Sequence, residues 1–390
     1  MAEAYIVAAA RTAGGRKGGR LSGWHPADLA AQVLDALVER SKADPAQVED
    51  FIMGCVGQVG EQSLNVARGA VMASTLPESV PATSVDRQCG SSQQALHFAA
   101  QAVMSGTMDV VIAGGVEGMS RVPMGLSSVL PEKSGFGRPK SPRMEERYPG
   151  VVFSQFSGAE MMAKKYGLSK DALDEFGFES HQKAIAATQK GLFDAEIVPV
   201  EATLPDGARE MHKRDEGIRF DANLAAIKGV KLLQEGGSIT AATSSQICDG
   251  ASGVMVVSER GLKSLGATPL ARVHAMTVLG HDPVIMLEAP IPATERALRK
   301  AGMSIDDIDL YEVNEAFASV PVAWLKELGA DPDKINVNGG AIALGHPLGA
   351  SGTKLMATLV HALRARGKKW GLQTMCEGGG LANVTIVERL

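Results

Sequence analysis

Cys89 and His346 are the residues on which the chemistry of this sequence centres, because the stretches that carry them resemble one another. One is PATSVDRQCGSSQQALHFAAQAVMSGTMDVVIAGG and the other DKINVNGGAIALGHPLGASGTKLMATLVHALRARGKKWGLQTMCEGGG. In both, a short apolar run ends in a turn of small residues bearing the reactive group. An amphipathic helix follows, a glycine closes it, and a second strand leads to a glycine cluster. This reading puts the thiol and the imidazole at the same point of a repeat. A thiol and an imidazole brought together from distant positions are the apparatus of nucleophilic catalysis, so the chain reads as an enzyme.

In QCGSS, Cys89 lies where a strand gives way to a helix running to about Ser105. Free backbone N–H groups and the positive helix end there favour a thiolate. At an ordinary pKa of about 8.5 only ~3% of a thiol is ionised near neutrality, and a lowering by about two units makes thiolate the majority form. His346 stands in GGAIALGHPLGASG, where Gly345 and Pro347 fix the backbone on either side of the ring. That loop lacks the lysine and spacing of a P-loop, and GGVEGMS lacks the strand and acidic partner of a dinucleotide site. Nucleotide hydrolysis and hydride transfer are therefore set aside. Cys376 opens CEGGG directly after the strand-like WGLQTM, and the three glycines let backbone N–H groups converge on a ligand. A second thiol there could shuttle a proton. Asn314 in VNEAF ends a strand at the matching level, where a buried amide can orient a water or a substrate oxygen. Cys55 and Cys248 read as small buried hydrophobes. The four cysteines are widely spaced with no C-x-x-C pair, which argues against a disulfide framework and a metal site.

The elements that must position these groups also occur twice. DLAAQVLDALVERSKA leads through DPAQVEDFIMGCV as TERALRKAGM leads through SIDDIDLYEVNEAF, matching Asp50 with Asp309 and placing Cys55 opposite Asn314. CDGASGVMVVSE resembles EGGGLANVTIVER, aligning Gly250 with Gly380. Only the first copy is interrupted. The expected organisation is α/β: one half-domain of residues 1–119 plus 244–266, a second of 267–390, packed face to face, and an inserted segment 120–243. In that insert GLSSVLPEKSGFGRPKSPRMEERYPG has the Pro, Gly and charge of a loop, and SGAEMMAKKYGLSKDALDEFGFESHQKAIAATQKG reads as helices. A length of 390 residues, 45% of them apolar and 21% charged, is enough to bury one large core or two ordinary ones. A net charge of −5 gives no reason to expect nucleic acid or an anionic membrane as partner. Apolar stretches fall far short of the ~20 residues of a membrane span, and MAEAYIVAAARTAGG lacks a secretory layout. The expectation is a cytoplasmic protein.

QCGSS at Cys89, NEAF at Asn314, GHPLGASG at His346 and CEGGG at Cys376 together resemble the motifs of the thiolases, the acyl-CoA:acetyl-CoA C-acyltransferases, in the same order and at similar spacing over essentially the whole chain. The resemblance implies a thiolase-like fold of layered αβαβα type, with 120–243 as a loop domain that binds CoA and makes oligomer contacts. It implies that Cys89 takes the acyl group as a thioester, that His346 activates it, and that Cys376 moves a proton at substrate C2. His346 with a water held by Asn314 forms one oxyanion hole, and the N–H groups of Cys89 and Gly378 form the other. Ser245 and Arg219 occupy places resembling CoA contacts. CoA is then a co-substrate, with no permanently bound cofactor and no metal, and the protein is a homodimer or homotetramer. Thiolases that make acetoacetyl-CoA carry a His-Met-Gly stretch lining a tight pocket, where this chain has Ser154, Gln155 and Phe156. That departure, with VDRQCGSSQQALH, resembles degradative members that cleave longer or bulkier 3-ketoacyl-CoA substrates in β-oxidation. A biosynthetic acetoacetyl-CoA thiolase, a ketosynthase-type condensing enzyme and a non-catalytic acyl-CoA or lipid carrier are the alternatives, and CEGGG speaks against the ketosynthase type.

Overall fold

A computed structural model describes residues 2–204 and 207–390. The apolar run near its start forms β1 (Tyr5–Thr12), buried from Ile6 onward, as a strand covered on both faces must be. Helix α1 (Pro26–Ser41) begins where the His25 side chain accepts from the Ala27 N–H and Pro26 takes the first helical position, and it ends at left-handed Lys42. β2 (Asp50–Gly54), β3 (Ala82–Val85), α2 (Ser91–Met104) and β4 (Val110–Gly118) follow, and β5 (Cys248–Val257) completes the half after the insert. Its strand order is β3-β2-β4-β5-β1, parallel between β2 and its two neighbours and antiparallel beyond β4.

The insert contributes α3 (Gln155–Lys165) and α4 (Lys170–Gln189), as its composition suggests. Its preceding stretch corrects the loop expectation, since two short, exposed helices form at Leu126–Lys133 and Pro142–Arg147. Left-handed Gly125 sets off the first, and Ser141, whose hydroxyl accepts from the Met144 N–H, sets off the second with Pro142 at its first position. Local capping thus overrides composition.

In the second half, β6 (Ala271–Gly280), α5 (Pro290–Ala301), β7 (Leu310–Val313), α6 (Ser319–Leu328), the short turn α7 (Ala341–Leu344), α8 (Ser351–Ala365), β8 (Trp370–Glu377) and β9 (Leu381–Arg389) repeat the plan. The order β7-β8-β9-β6 answers β2-β4-β5-β1 strand for strand, and the halves join edge to edge where Tyr5 pairs with Arg272 and Ile6 with Ala271. Between the sheets lie α2 and α8. Ala95, Leu96 and Ala99 of α2 share one core with Met356, Leu359 and Val360 of α8 and with Ile52, Val254, Leu310 and Val387 from the two sheets. α1 covers the outer face of the first sheet and α5 and α6 that of the second, which gives the five αβαβα layers. The central helices touch at their first turns because Gly352 has no side chain: a Cβ there would lie 2.1 Å from the Gln93 nitrogen.

One detail of the repeat is corrected. Ser91 and Ser351 are the first residues of the matching helices, so the partner of Cys89 in the repeat is Gly349, and His346 lies three residues earlier. A 3₁₀ turn at Leu348–Ala350 separates the imidazole from α8. The thiol and imidazole occupy non-equivalent positions of the repeat.

Candidate active site

Cys89 sits at the end of the tight turn that enters α2. The preceding residue, Gln88, has φ of +48°, a left-handed conformation that a non-glycine residue adopts at a cost. It is held there by Asp86, whose carboxylate accepts from the Gln88 backbone at 2.7 Å and from its side-chain amide at 3.2 Å. Ser91 fixes the other side of the turn, accepting from the Arg87 N–H at 2.9 Å and donating to the Gln88 carbonyl at 2.6 Å. The N–H groups of Cys89 itself and of Gly378 both point at the Cys89 sulfur and favour its anion. Cys376, at the end of β8, is close enough to Cys89 that each thiolate would disfavour the other. The two thiols and Gly378 are therefore brought together. Cys89 is 9% exposed and Cys376 fully buried, and the site meets the surface at exposed Gln88 and Gly379.

His346 and Asn314 are also brought together, their Nε2 and Nδ2 atoms 3.4 Å apart. Asn314 follows β7 and is anchored by its N–H donating to the Thr374 carbonyl at 3.1 Å. Its Oδ1 is buried with no hydrogen-bond partner among the described residues. The other imidazole nitrogen, Nδ1, lies 2.5 Å from the Ser351 hydroxyl, and that hydroxyl donates its single proton to the Pro347 carbonyl at 2.9 Å. Ser351 can then only accept from His346, which puts the ring proton on Nδ1 and leaves Nε2 as a bare acceptor. The helices that follow Cys89 and His346 cross at their first turns, where the Thr353 N–H donates to the Ser92 hydroxyl at 3.0 Å.

The electrostatics correct the expectation of a resting thiolate. Burial pushes the Cys89 thiol up to about 12, with the Glu377 carboxylate as a second cause, and its two N–H partners do not offset this. Burial also pushes His346 down to about 3, with the Lys354 ammonium adding to the effect. The resting pair is a neutral thiol and a neutral imidazole. Desolvation is a property of the assembled core, which is why a local reading of QCGSS pointed the other way.

Several residues that position the site were not singled out in the sequence. Lys354, on the first turn of α8, donates to the carbonyls of Leu344 and Gly345 at 2.8 and 2.7 Å, directly before His346. Glu315 accepts from Ser180 of α4 at 2.7 Å, from Asn336 at 2.9 Å and from the Ile342 N–H at 3.0 Å, tying the insert to the turn that leads to the histidine. Glu117 accepts from the N–H groups of Val56 and Gly349 at 2.9 and 2.8 Å, joining the two halves beside the site. Glu315 and Ser351 stand inside motifs already quoted, so their signal was present.

Ser245 is half-buried and its N–H donates to the Ala316 carbonyl at 2.9 Å, which places it against the Asn314 turn. Arg219 is exposed, and its N–H donates to His181 Nδ1 at 3.3 Å. The Ser154 hydroxyl caps α3, and Phe156 stacks edge-on against Phe317 of the NEAF turn with centroids 5.5 Å apart. A cavity of about 310 Å³ lined by Phe156, Glu160, Leu233, Gln234 and Ile239 lies alongside. Among the described residues, no group of three His, Cys, Asp or Glu gathers to hold a metal, and no helix is long and apolar enough to cross a membrane.

Comparison with known proteins bears on this geometry. The thiolase N-terminal domain family matches residues 4–260, and the thiolase C-terminal domain family matches 267–389. A steroid 3-ketoacyl-CoA thiolase of Mycobacterium tuberculosis is 50% identical over 100% of this chain and 95% of its own length. A 3-ketoacyl-CoA thiolase of Yersinia pestis is 42% identical over 100% of both chains. The crystal structure of the Bacillus anthracis acetyl-CoA acetyltransferase superposes with a TM-score of 0.91 at 34% identity, covering 100% of this chain and 99% of that one.

Proposed function

Since this chain belongs to the thiolase family, we propose how its own residues divide the labour of that chemistry. The chain is an acyl-CoA:acetyl-CoA C-acyltransferase, and its reaction is the thiolytic cleavage of 3-ketoacyl-CoA by CoA to acetyl-CoA and a shortened acyl-CoA. The observation that carries the assignment of roles is the hydrogen-bond pattern at His346: Nδ1 lies against a Ser351 hydroxyl that donates to Pro347, and Nε2 faces the Asn314 amide nitrogen, so the lone pair that can take a proton is placed on Nε2.

His346 Nε2 takes the Cys89 proton as the sulfur adds to the C3 ketone. The oxygen on that carbon then lies within reach of the N–H groups of Cys89 and Gly378, which already face the sulfur. As the C2–C3 bond breaks, the electron pair passes to the C1 thioester oxygen as an enolate. The imidazolium Nε2–H, and a water held by Asn314, are the donors for that oxygen. Each such donor is worth roughly 3 kcal/mol at the transition state. Cys376 gives its proton to C2, acetyl-CoA leaves, and the thiolate left on Cys376 takes the proton of an incoming CoA thiol. That thiol attacks the Cys89 thioester, and the departing Cys89 sulfur recovers its proton from His346. Atoms and charges balance with CoA alone as co-substrate, and no step calls on a resident cofactor or metal.

We assign CoA contacts to Ser245 and Arg219, and a division into half-domains 1–119 plus 244–266 and 267–390 with a loop domain at 120–243. The insert's tie to the active-site turn through Ser180 and Glu315 supports that division. A homodimer or homotetramer in the cytoplasm is part of the same reading, and the four free cysteines fit a reducing compartment. The Mycobacterium relative is named for steroid substrates. The exposed Phe156 ring and the adjoining cavity support extending a bulky acyl group to this chain.

The test is to follow loss of ketoacyl enolate absorbance with acetoacetyl-CoA, longer linear and ring-bearing 3-ketoacyl-CoAs and free CoA, and to locate the trapped acyl group by mass spectrometry. Turnover with an adduct on Cys89 is expected. No turnover with any of these substrates would defeat the reading.

A further inference from the structure

Glu377 has no task in the reaction above, yet it stands at its centre. It is the last residue of β8, directly after Cys376, and it is fully buried. Its side chain lies flat against the residue that follows the nucleophile, so that a Cβ at Gly90 would sit 2.0 Å from Oε1 and 2.4 Å from the carboxyl carbon. Neither carboxyl oxygen has a hydrogen-bond partner among the described residues. The other buried acids beside the site are not like this: Glu117 and Glu315 have both oxygens engaged by donors.

A carboxylate stripped of water and given no donors is strongly disfavoured, so this group rests as the neutral acid. Burial pushes it up to about 8, against the weaker pull of the Arg87 guanidinium and of the Asn383 N–H, which lies near the carboxyl without the geometry of a hydrogen bond. The groups that face it are those of the nucleophile. Its charge acts on Cys89 and on Cys376, raising both thiols, while Glu117 adds a smaller push on Cys89. The cluster thus tolerates one negative charge at a time.

Taking Cys89 as the nucleophile of the thiolase reading, we propose that Glu377 is a charge gate on it: as the neutral acid it leaves Cys89 free to ionise toward His346, and as the carboxylate it holds the thiol protonated. The gating step is the loss of the Glu377 proton to solvent, with no other bond made or broken. Glu377 is a positioning residue for charge and does not touch the reacting carbon. An ordinary thiol gains about tenfold in reactivity for each pH unit below its pKa. Here that gain flattens once Glu377 ionises, because each thiolate must then form beside an existing charge.

The experiment measures the alkylation rate of Cys89 by iodoacetamide against pH, with the modified residue located by mass spectrometry, in the wild-type protein and in Glu377→Gln. The two are expected to coincide within about twofold on the acid side and to diverge above about pH 8, where the amide variant becomes roughly tenfold faster, the effect of about one pKa unit. A merely structural role for the side chain would shift both limbs together. Superimposed profiles overturn the gate. Should the variant not fold, the wild-type profile alone decides: flattening near pH 8 supports the gate, and an unbroken tenfold rise per unit through that point overturns it. Turnover of 3-ketoacyl-CoA by the wild-type protein is scored separately, so a failed thiolase assignment shows as absent turnover and a failed gate as an unbroken alkylation profile.

Discussion

A single hydroxyl proton decides which way the imidazole works. Because Ser351 donates to Pro347, His346 must present its lone pair from Nε2, and that is the atom beside Asn314. The ring stays neutral throughout the working range. Its folded value is depressed from 6.5 to about 3, so any stability linked to it is fully present above 6.5 and is lost as pH falls toward 3, where protonation of a buried ring opposes the fold. Cys376 has the complementary task of supplying a proton, and its thiol is held protonated by burial and by the neighbouring Cys89. Cys376→Ala is therefore expected still to form the Cys89 acyl-enzyme from an acyl-CoA, since a departing CoA thiolate can take its proton from solvent, while losing cleavage and condensation by roughly 10²–10⁴-fold, the worth of a positioned acid–base group. Mass spectrometry of the adduct and loss of enolate absorbance check the two halves of this statement. Unimpaired cleavage would contradict the role.

At the scale of elements, the active-site loop joins the short turn α7 to α8 and is held from behind by the helix it precedes. Lys354 on α8 reaches back to the carbonyls of Leu344 and Gly345, so the same turn that begins the helix fixes the backbone entering His346. Lys354→Met leaves two buried carbonyls unpaired, at about 1–3 kcal/mol each, and takes away a cation that helps keep the ring neutral. The expected result is a lower melting temperature, a kcat reduced by roughly tenfold or more with less change in KM, and an acid limb of the pH–rate profile moved upward. Arginine at this position should restore part of each. The sequence displayed the loop but not its support. Small residues such as Gly352 and Gly345 are legible because the backbone conformation and close approach they permit are local demands. The meaning of Lys354 depends on which carbonyls a preceding turn presents, and the neutral state of Cys89 depends on how much water the whole core excludes. The repeat itself was legible for most strands, but it misled in equating Cys89 with His346, where an added 3₁₀ turn shifts the register, and in expecting a strand before the histidine loop, where Ile335 makes only an isolated bridge to Tyr311.

For the molecule as a whole, the duplicated halves and the insert serve different ends. The halves bury the reacting groups between two sheets, and in the function proposed above the insert supplies the wall against which an acyl chain lies. On that wall Ser154 turns inward to cap α3, and Phe156, half exposed, packs edge-on to Phe317 next to the Asn314 turn. Met124, Met161 and Leu233 add further exposed apolar surface to the same insert. An acyl group that extends past the reacting carbons has somewhere apolar to go, at a gain of about 0.8 kcal/mol for each methylene buried. That corresponds to roughly fourfold in kcat/KM per added methylene until the surface is covered. Acetoacetyl-CoA, with one methyl beyond its ketone, reaches none of it. The expected profile therefore rises from the four-carbon substrate and peaks at longer or bulkier chains. Replacing Phe156 by Ala should flatten the rise while leaving acetoacetyl-CoA cleavage within about twofold, since the shortest substrate makes no use of the ring. A panel of 3-ketoacyl-CoAs of increasing length measures both statements. A wild-type profile that peaks at the shortest substrate would show that the insert closes over the acyl pocket instead of lining it.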